Sequence, residues 1–334
     1  MLQLQNNTPF KASLAVLPDR AGIDTLHIVI KATVHMRPSI ALAPEQVPVA
    51  MADEYYGDPA LSSLRVASEM HIGKPGTDVL LIGHARAPEG RPTARMKVAM
   101  SVAERRRELL VTGDRTWQAD GTPSAPQPFA AMPLTWERAY GGFHRLPDRL
   151  LAEERNPVGC GFAGERSAGE MRQQPVPNLE DASAALQKVG QLSSPCCFAP
   201  VSASWLPRRS FAGTYDENWQ RTRAPYLPSD FDPRFLQSAP PEFAFDRYLQ
   251  GGEPVEIHGV LPDGPLSFAV PQSPLQIEVV VAGSPQHPTA NLETLLIEPD
   301  ENRLCMSWRA TVPCDRQVLK VQKVIVGLTG RSRA

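Results

Sequence analysis

The sequence predicts an all-β protein, mainly antiparallel sheets in a sandwich or split barrel. A loop-rich, proline-rich middle carries a few short helices. Three observations predict it. In both terminal thirds apolar residues alternate with polar ones, the two-residue period of strands. The alternating runs are short and divided by turn residues, so successive strands pair antiparallel. Proline supplies 34 of the 334 residues, about twice the usual ~5%. Proline removes a backbone donor and disfavours helix interiors, which excludes a helical bundle.

The elements follow in chain order. "ASLAVLPDRAGIDTL" gives a strand, a P-D-R-A-G turn and the start of a second strand. That second strand lies within Gly22–Met36. It places Leu26, Ile28, Ile30, Ala32 and Val34 on one face, with His27, Lys31, Thr33 and His35 between them. "KPGTD" (Lys74–Asp78) has turn chemistry, so Leu64–Ile72 and Val79–Arg86 are predicted to form a hairpin. "ARMKVAMSVAERRRELLVTGDRTW" predicts another, turning near Glu104. In the last third, "EPVEIHGVLPDGPLSFAVP", "LQIEVVVAG", "ETLLIEPDENRLCMSWRATVP" and "RQVLKVQKVIVGL" continue the pattern.

Between them the alternation stops. The chain therefore divides into a β region at 1–117, an irregular region at 118–250 and a second β region at 251–334, expected to pack together. "PNLEDASAALQKVG" predicts a helix capped by Asn178 and stopped by Gly190. Thr214 and Glu217 form a T-x-x-E capping box, predicting a helix from Tyr215 to about Arg223, ended by Pro225. Asp232 followed by Pro233 predicts one more turn. Tyr215 and Trp219, four apart, should share a face.

Composition narrows the function. Apolar residues make up 42% and charged residues 21%, with a formal net charge of −2. No field of one sign exists to draw in nucleic acid or an acidic bilayer. No apolar run is long enough to span a membrane. The N-terminal stretch lacks a basic segment followed by an apolar one, so a cytoplasmic protein without membrane insertion is expected. Cys160, Cys196, Cys197, Cys305 and Cys314 show no C-x-x-C spacing and read as reduced thiols.

Signals for chemistry are sparse. Cys160 sits between two glycines in "NPVGCGF", but no histidine is placed by sequence as its base. Glu69 and His71 share a strand face in the predicted hairpin. His84 would join them there if the loop length is even, giving a three-ligand metal set. The plain alternative is the polar side of a sheet. Carboxylate pairs have ready structural uses as helix caps. Neither a Walker A motif nor G-x-G-x-x-G is present, so no cofactor is expected. What stands out is aromatic–arginine clustering in the irregular middle. Trp136, Arg138 and Tyr140 form one cluster. Trp205, Arg208, Arg209, Tyr215, Trp219, Arg221, Tyr226 and Phe231 form the other. Trp, Tyr and Arg dominate binding hot spots, and Trp and Tyr also anchor irregular cores.

The same segments carry a resemblance. "ADEYYGDP", "SSLRVASEMHIGKPGTDVLLIGHARAP", "MPLTWERAYGG", "ERNPVGCGF", "AGTYDENWQRTRAPYLPSDFDPRF" and "YLQGGEPVEIHGVLPDGPLSF" occur in one order. Together they resemble the bacterial family called domain of unknown function 2169. The resemblance implies a non-enzymatic adaptor or chaperone of the type VI secretion apparatus. Such a protein would bind an effector with a PAAR-like domain and help load it onto the spike. The implied partners are that effector or PAAR-like protein, and the spike protein. The aromatic–arginine residues would then be the partner-binding set. Two other readings stay open at this point. One is a metal-dependent hydrolase using Glu69, His71 and His84. The other is a structural component of the apparatus.

Overall fold

The computed structural model describes residues 3–329. Strands dominate, and the α-helices among the described residues are two short ones, Ala168–Met171 and Glu217–Thr222. A mixed sheet forms the centre. Its order is Lys11–Pro18, Asp24–His35, Arg303–Pro313, Asn291–Glu298 and Asp78–Leu81, with Ala41–Leu42 added beside Asp24–His35. All pairs along it are antiparallel except the last. A five-stranded antiparallel sheet runs Leu179–Asp181, Arg105–Thr112, Arg95–Val102, Pro254–His258, Leu266–Ala269. A third sheet joins Gln3–Asn6, Val321–Leu328, Leu275–Val281 and Ser284–Gln286. Strands from both ends of the chain share all three sheets.

The apolar face of the mixed sheet is covered by both other sheets. Leu26, Ile28 and Ile30 pack with Ile277, Val279, Val324 and Val326 of the third sheet. Ala32, Val34, Met306 and Trp308 pack with Val98, Met100, Leu109 and Ile257 of the five-stranded sheet. This burial drives the sandwich, at roughly 25 cal/mol per Å² of apolar surface removed from water.

The opposite face, which carries His27, Lys31 and Thr33 of the second strand, is buried too. His27, Lys31 and Thr33 are shut in by the segment from about 43 to 78. Every charge there has a partner. Lys31 pairs with Glu69 at 3.0 Å, Lys74 with Asp78 at 2.7 Å and Arg309 with Glu293 at 2.8 Å. Glu69 also accepts from the backbone of Ala50 at 2.6 Å and from the Ser307 hydroxyl. Charges taken out of water are tolerated only when so paired.

Three hairpins form as expected, Lys11–Pro18 with Asp24–His35, Arg95–Val102 with Arg105–Thr112 and Pro254–His258 with Leu266–Ala269. Two expectations are overturned. Leu64–Ile72 and Val79–Arg86 do not pair. Leu64–Val66 pairs with Glu54–Tyr55, Asp78–Leu81 with Asn291–Glu298, and His84–Arg86 with Ala131–Pro133. The Lys74–Asp78 stretch is pinned by the buried ion network instead of closing a turn. The helix expected over 177–190 is absent. Leu179–Asp181 is an edge strand, and Asn178 donates to the Thr112 carbonyl at 2.9 Å instead of capping. Glu180 is held by Arg115 at 2.6 Å inside the fold. Sheet pairing and that ion pair outweigh a modest helix propensity.

Candidate docking surface

The two aromatic–arginine clusters meet different fates. Trp136 begins a single helical turn, Trp136–Arg138, and is 4% exposed. Its indole nitrogen donates to the carbonyls of Ala199 and Pro200, at 3.1 and 2.9 Å. The Trp205 ring meets it edge-on, 6.1 Å between centroids. Tyr140 is 2% exposed. Arg208 is buried and donates to the carbonyls of Val201 and Phe235, at 2.6 and 2.9 Å. Phe231 is buried edge-on to Phe235. These five side chains are interior, so they present nothing to a partner. The polar NH of a buried Trp and a buried guanidinium must find acceptors, and irregular backbone offers free carbonyls. Arg138 is half-buried on Asp114 and Asn178, and Arg209 is exposed beside Glu154 at 3.2 Å.

The remaining residues lie on a projecting arm, roughly 212–231. Its base is closed by Thr214, whose N–H and hydroxyl donate to the Asp230 carboxylate at 3.0 and 2.7 Å. Those bonds hold the Asp230 carboxyl below the usual carboxylate range. Thr214 is therefore not the helix cap. Asp216 takes that place, accepting from the Trp219 N–H at 2.8 Å, and the helix runs only Glu217–Thr222. Asp is as good an N-cap as Thr, and Thr214 is already engaged. Tyr215 and Trp219 do meet, at 4.8 Å between centroids. The Trp219 indole N–H donates to the Tyr226 carbonyl at 2.8 Å. Arg223 donates to the carbonyls of Leu227 and Arg20, tying the arm to the first hairpin's turn. The arm is thus held by polar clasps and ring contacts, without a core of its own. Tyr215 is 55% and Tyr226 40% exposed, and Trp219 is half-buried. Arg221 is exposed and bonds the Glu217 carbonyl at 3.3 Å, and among the described residues it has no carboxylate partner.

At the arm's base lies a groove of about 480 Å³, walled by Pro75, Val201, Pro207, Phe211, Ala239 and Pro241. Arg234 lies over the Phe211 ring at 4.3 Å and pairs with Asp232 at 2.5 Å on its rim. The D-P-R segment had been read only as a helix start. Asp232 does cap a turn, Pro233–Leu236. Nothing in the sequence pattern marked Arg234 as a groove residue, because the groove is made by prolines far apart in the chain.

The proposed metal ligands are separated by the failure of their hairpin. Glu69 serves Lys31. His71 lies between Arg309 and Glu293, and burial, then the Arg309 charge, pushes it well below its ordinary range. His84 bonds Asp300 at 2.7 Å, sharing it with Arg86. Among the described residues no group of three or more His, Cys, Asp or Glu is arranged to hold a metal. Burial pushes the Cys160 thiol up to about 12, and its sulfur touches only the Ala139 carbonyl at 3.9 Å, so it is no activated nucleophile.

The family question is decided by a model that matches residues 21–309, nearly the whole chain. The chain belongs to DUF2169. That family is described as uncharacterized protein conserved in bacteria. No curated protein and no solved structure matches this DUF2169 chain. Among the described residues no helix is long and apolar enough to cross a membrane.

Proposed function

We propose that this DUF2169 protein is a non-enzymatic adaptor or chaperone of type VI secretion. In this reading it binds an effector bearing a PAAR-like domain in the cytoplasm and helps load it onto the spike. The observation that carries the reading is the arm: Tyr215, Trp219, Tyr226 and the unpaired Arg221 are displayed together beside an apolar groove. Rings and a guanidinium displayed together on one clasped segment are what a hot spot uses. Such a surface would shield apolar or edge-strand surface of the client until it is loaded. Glu69, His71 and His84 have separate partners, which supports this reading over a metal-dependent hydrolase, and no observation favours a structural component of the apparatus.

The test is an affinity pull-down of the tagged protein from its native bacterium, with mass spectrometry of the co-purified chains. Recovery of an effector or PAAR-like protein, lost in Trp219→Ala and in Arg221→Glu, supports the proposal. If both variants fold and retain such a client undiminished, the arm is not its docking site. If no effector or PAAR-like protein is recovered, the adaptor reading fails.

A further inference from the structure

A second groove lies away from the arm, where two glycine-rich segments cross. Tyr140–Gly141 pairs in parallel with Cys160–Gly161. The crossing is tight. A Cβ on Gly159 would stand 2.6 Å from the Ala139 carbonyl oxygen, and Gly161, at φ +87°, would meet the Pro177 ring at 2.6 Å. These glycines serve the close approach of the two segments, and the result is a floor of bare backbone. The groove over it measures about 230 Å³. Its apolar lining includes Leu61, Phe143, Val158, Phe162 and Met171. Leu61 is 67% and Phe143 45% exposed, so the rim is apolar as well.

Among the described residues, Arg166 is the only charged one lining it. Its Nε donates to the Ala163 carbonyl at 3.0 Å. Its Nη2 donates to the carbonyls of Phe162 and Phe143, at 2.5 and 3.3 Å. Those neutral acceptors fix the guanidinium without pairing it directly to a carboxylate, although the Glu170 carboxyl lies near enough to feel its charge. Among the described residues no carboxylate lies within ion-pair distance of it, and Nη1 donates to nothing. Most other arginines lining grooves here are matched: Arg107 faces Asp181 at 2.9 Å, Arg155 faces Glu153 at 2.7 Å and Arg234 faces Asp232. An anchored cation with a free donor edge, in a groove of backbone floor and apolar side-chain walls, is complementary to one carboxylate carried next to an apolar group.

We infer that this groove receives the carboxyl terminus of a partner polypeptide that ends in an apolar residue. The terminal carboxylate would bond Nη1 of Arg166, and the last side chain would lie against Phe162 and Met171. Its volume falls below the ~300–1,000 Å³ of sites for drug-sized ligands, which suits a single chain end. The inference is independent of the arm and of the adaptor reading.

The experiment is fluorescence anisotropy on the full chain with a dye-labelled peptide ending in leucine. The free acid, its C-terminal amide, and an amide carrying an internal aspartate are compared. Saturable binding of the free acid is expected, with the plain amide weaker by roughly tenfold or more. Arg166→Gln should abolish the difference between acid and amide. Arg166 also ties three carbonyls, so the exposed rim variant Phe143→Ser provides the second check. It should weaken binding while the melting temperature holds. Equal binding of acid and amide, or no saturable binding of the acid, overturns the inference. Equal binding of the internal-aspartate amide also overturns it, by assigning the groove to side-chain carboxylates.

Discussion

The segments "TWERAYGGFHR" and "TYDENWQRTRAPY" look alike: each has a tryptophan, tyrosine and arginines among turn residues. Their positions are opposite. Trp136 and Tyr140 are interior, Trp136 in the core with Phe198 and Trp205, Tyr140 in a smaller cluster with Trp117 and Met171. Tyr215 and Trp219 meet edge-on outside, and the Trp219 indole N–H donates to the Tyr226 carbonyl. In both places the indole N–H finds a backbone carbonyl, so satisfied hydrogen bonding does not separate the two roles. What separates them is how much apolar surface surrounds the ring. A tryptophan packed by another tryptophan and by core strands is part of the fold. A tryptophan that meets a tyrosine of its own arm is left half-buried.

That contrast can be broken or sharpened. The largest effect is expected for Trp136→Ala. It removes a fully packed indole and leaves two carbonyls without their donor, at a cost of about 3–5 kcal/mol. A urea titration reads it, and a loss near zero would remove the distinction between the two clusters. Next comes acidification, which acts on the interior. Burial, then the Arg309 charge, lowers His27 from 6.5 to about 4, and lowers His71 in the same way. The unfolded chain binds these protons near the ordinary value and the folded chain refuses them. Stability is therefore full above 6.5 and falls as pH drops towards about 4. His27→Leu should flatten that fall, measured as urea midpoints across the window. The arm behaves differently: it holds no histidine, and the lowered carboxyl of Asp230 keeps its clasp with Thr214 until the medium is more acidic.

A smaller effect is expected for Trp219→Ala, about 1 kcal/mol or less on global stability. A loss comparable to that of Trp136→Ala would make the arm part of the core. Smallest is Thr214→Val, which removes one hydroxyl bond at an exposed site, about 0.5 kcal/mol. Its readout is faster amide exchange confined to the arm with an unchanged melting temperature.

Much of the fold was legible in the sequence. The first hairpin, the 95–112 hairpin, the 254–269 hairpin and the closing strands announce themselves because alternation and turn chemistry are local. The helix at 177–190 was misread for the converse reason. Its capping and composition were locally right, yet residue 180 carries a carboxylate needed by Arg115, sixty-five positions away. The 64–86 hairpin failed likewise, because Lys74 and Asp78 are committed to the buried network and to Ser238. For the candidate surface, residue types were legible and exposure was not. Of the eleven predicted partner-binding residues, Trp136, Tyr140, Trp205, Arg208 and Phe231 are buried.

The sequence by itself determined an all-β chain with a proline-stiffened middle, because period and backbone restriction act between neighbours. It also carried the ordered segments that place the chain in DUF2169. The tertiary structure alone decided which polar strand face would be sealed around three ion pairs, and which aromatic cluster would stay outside. Burial depends on what covers a residue, and the covering segments here come from distant parts of the chain.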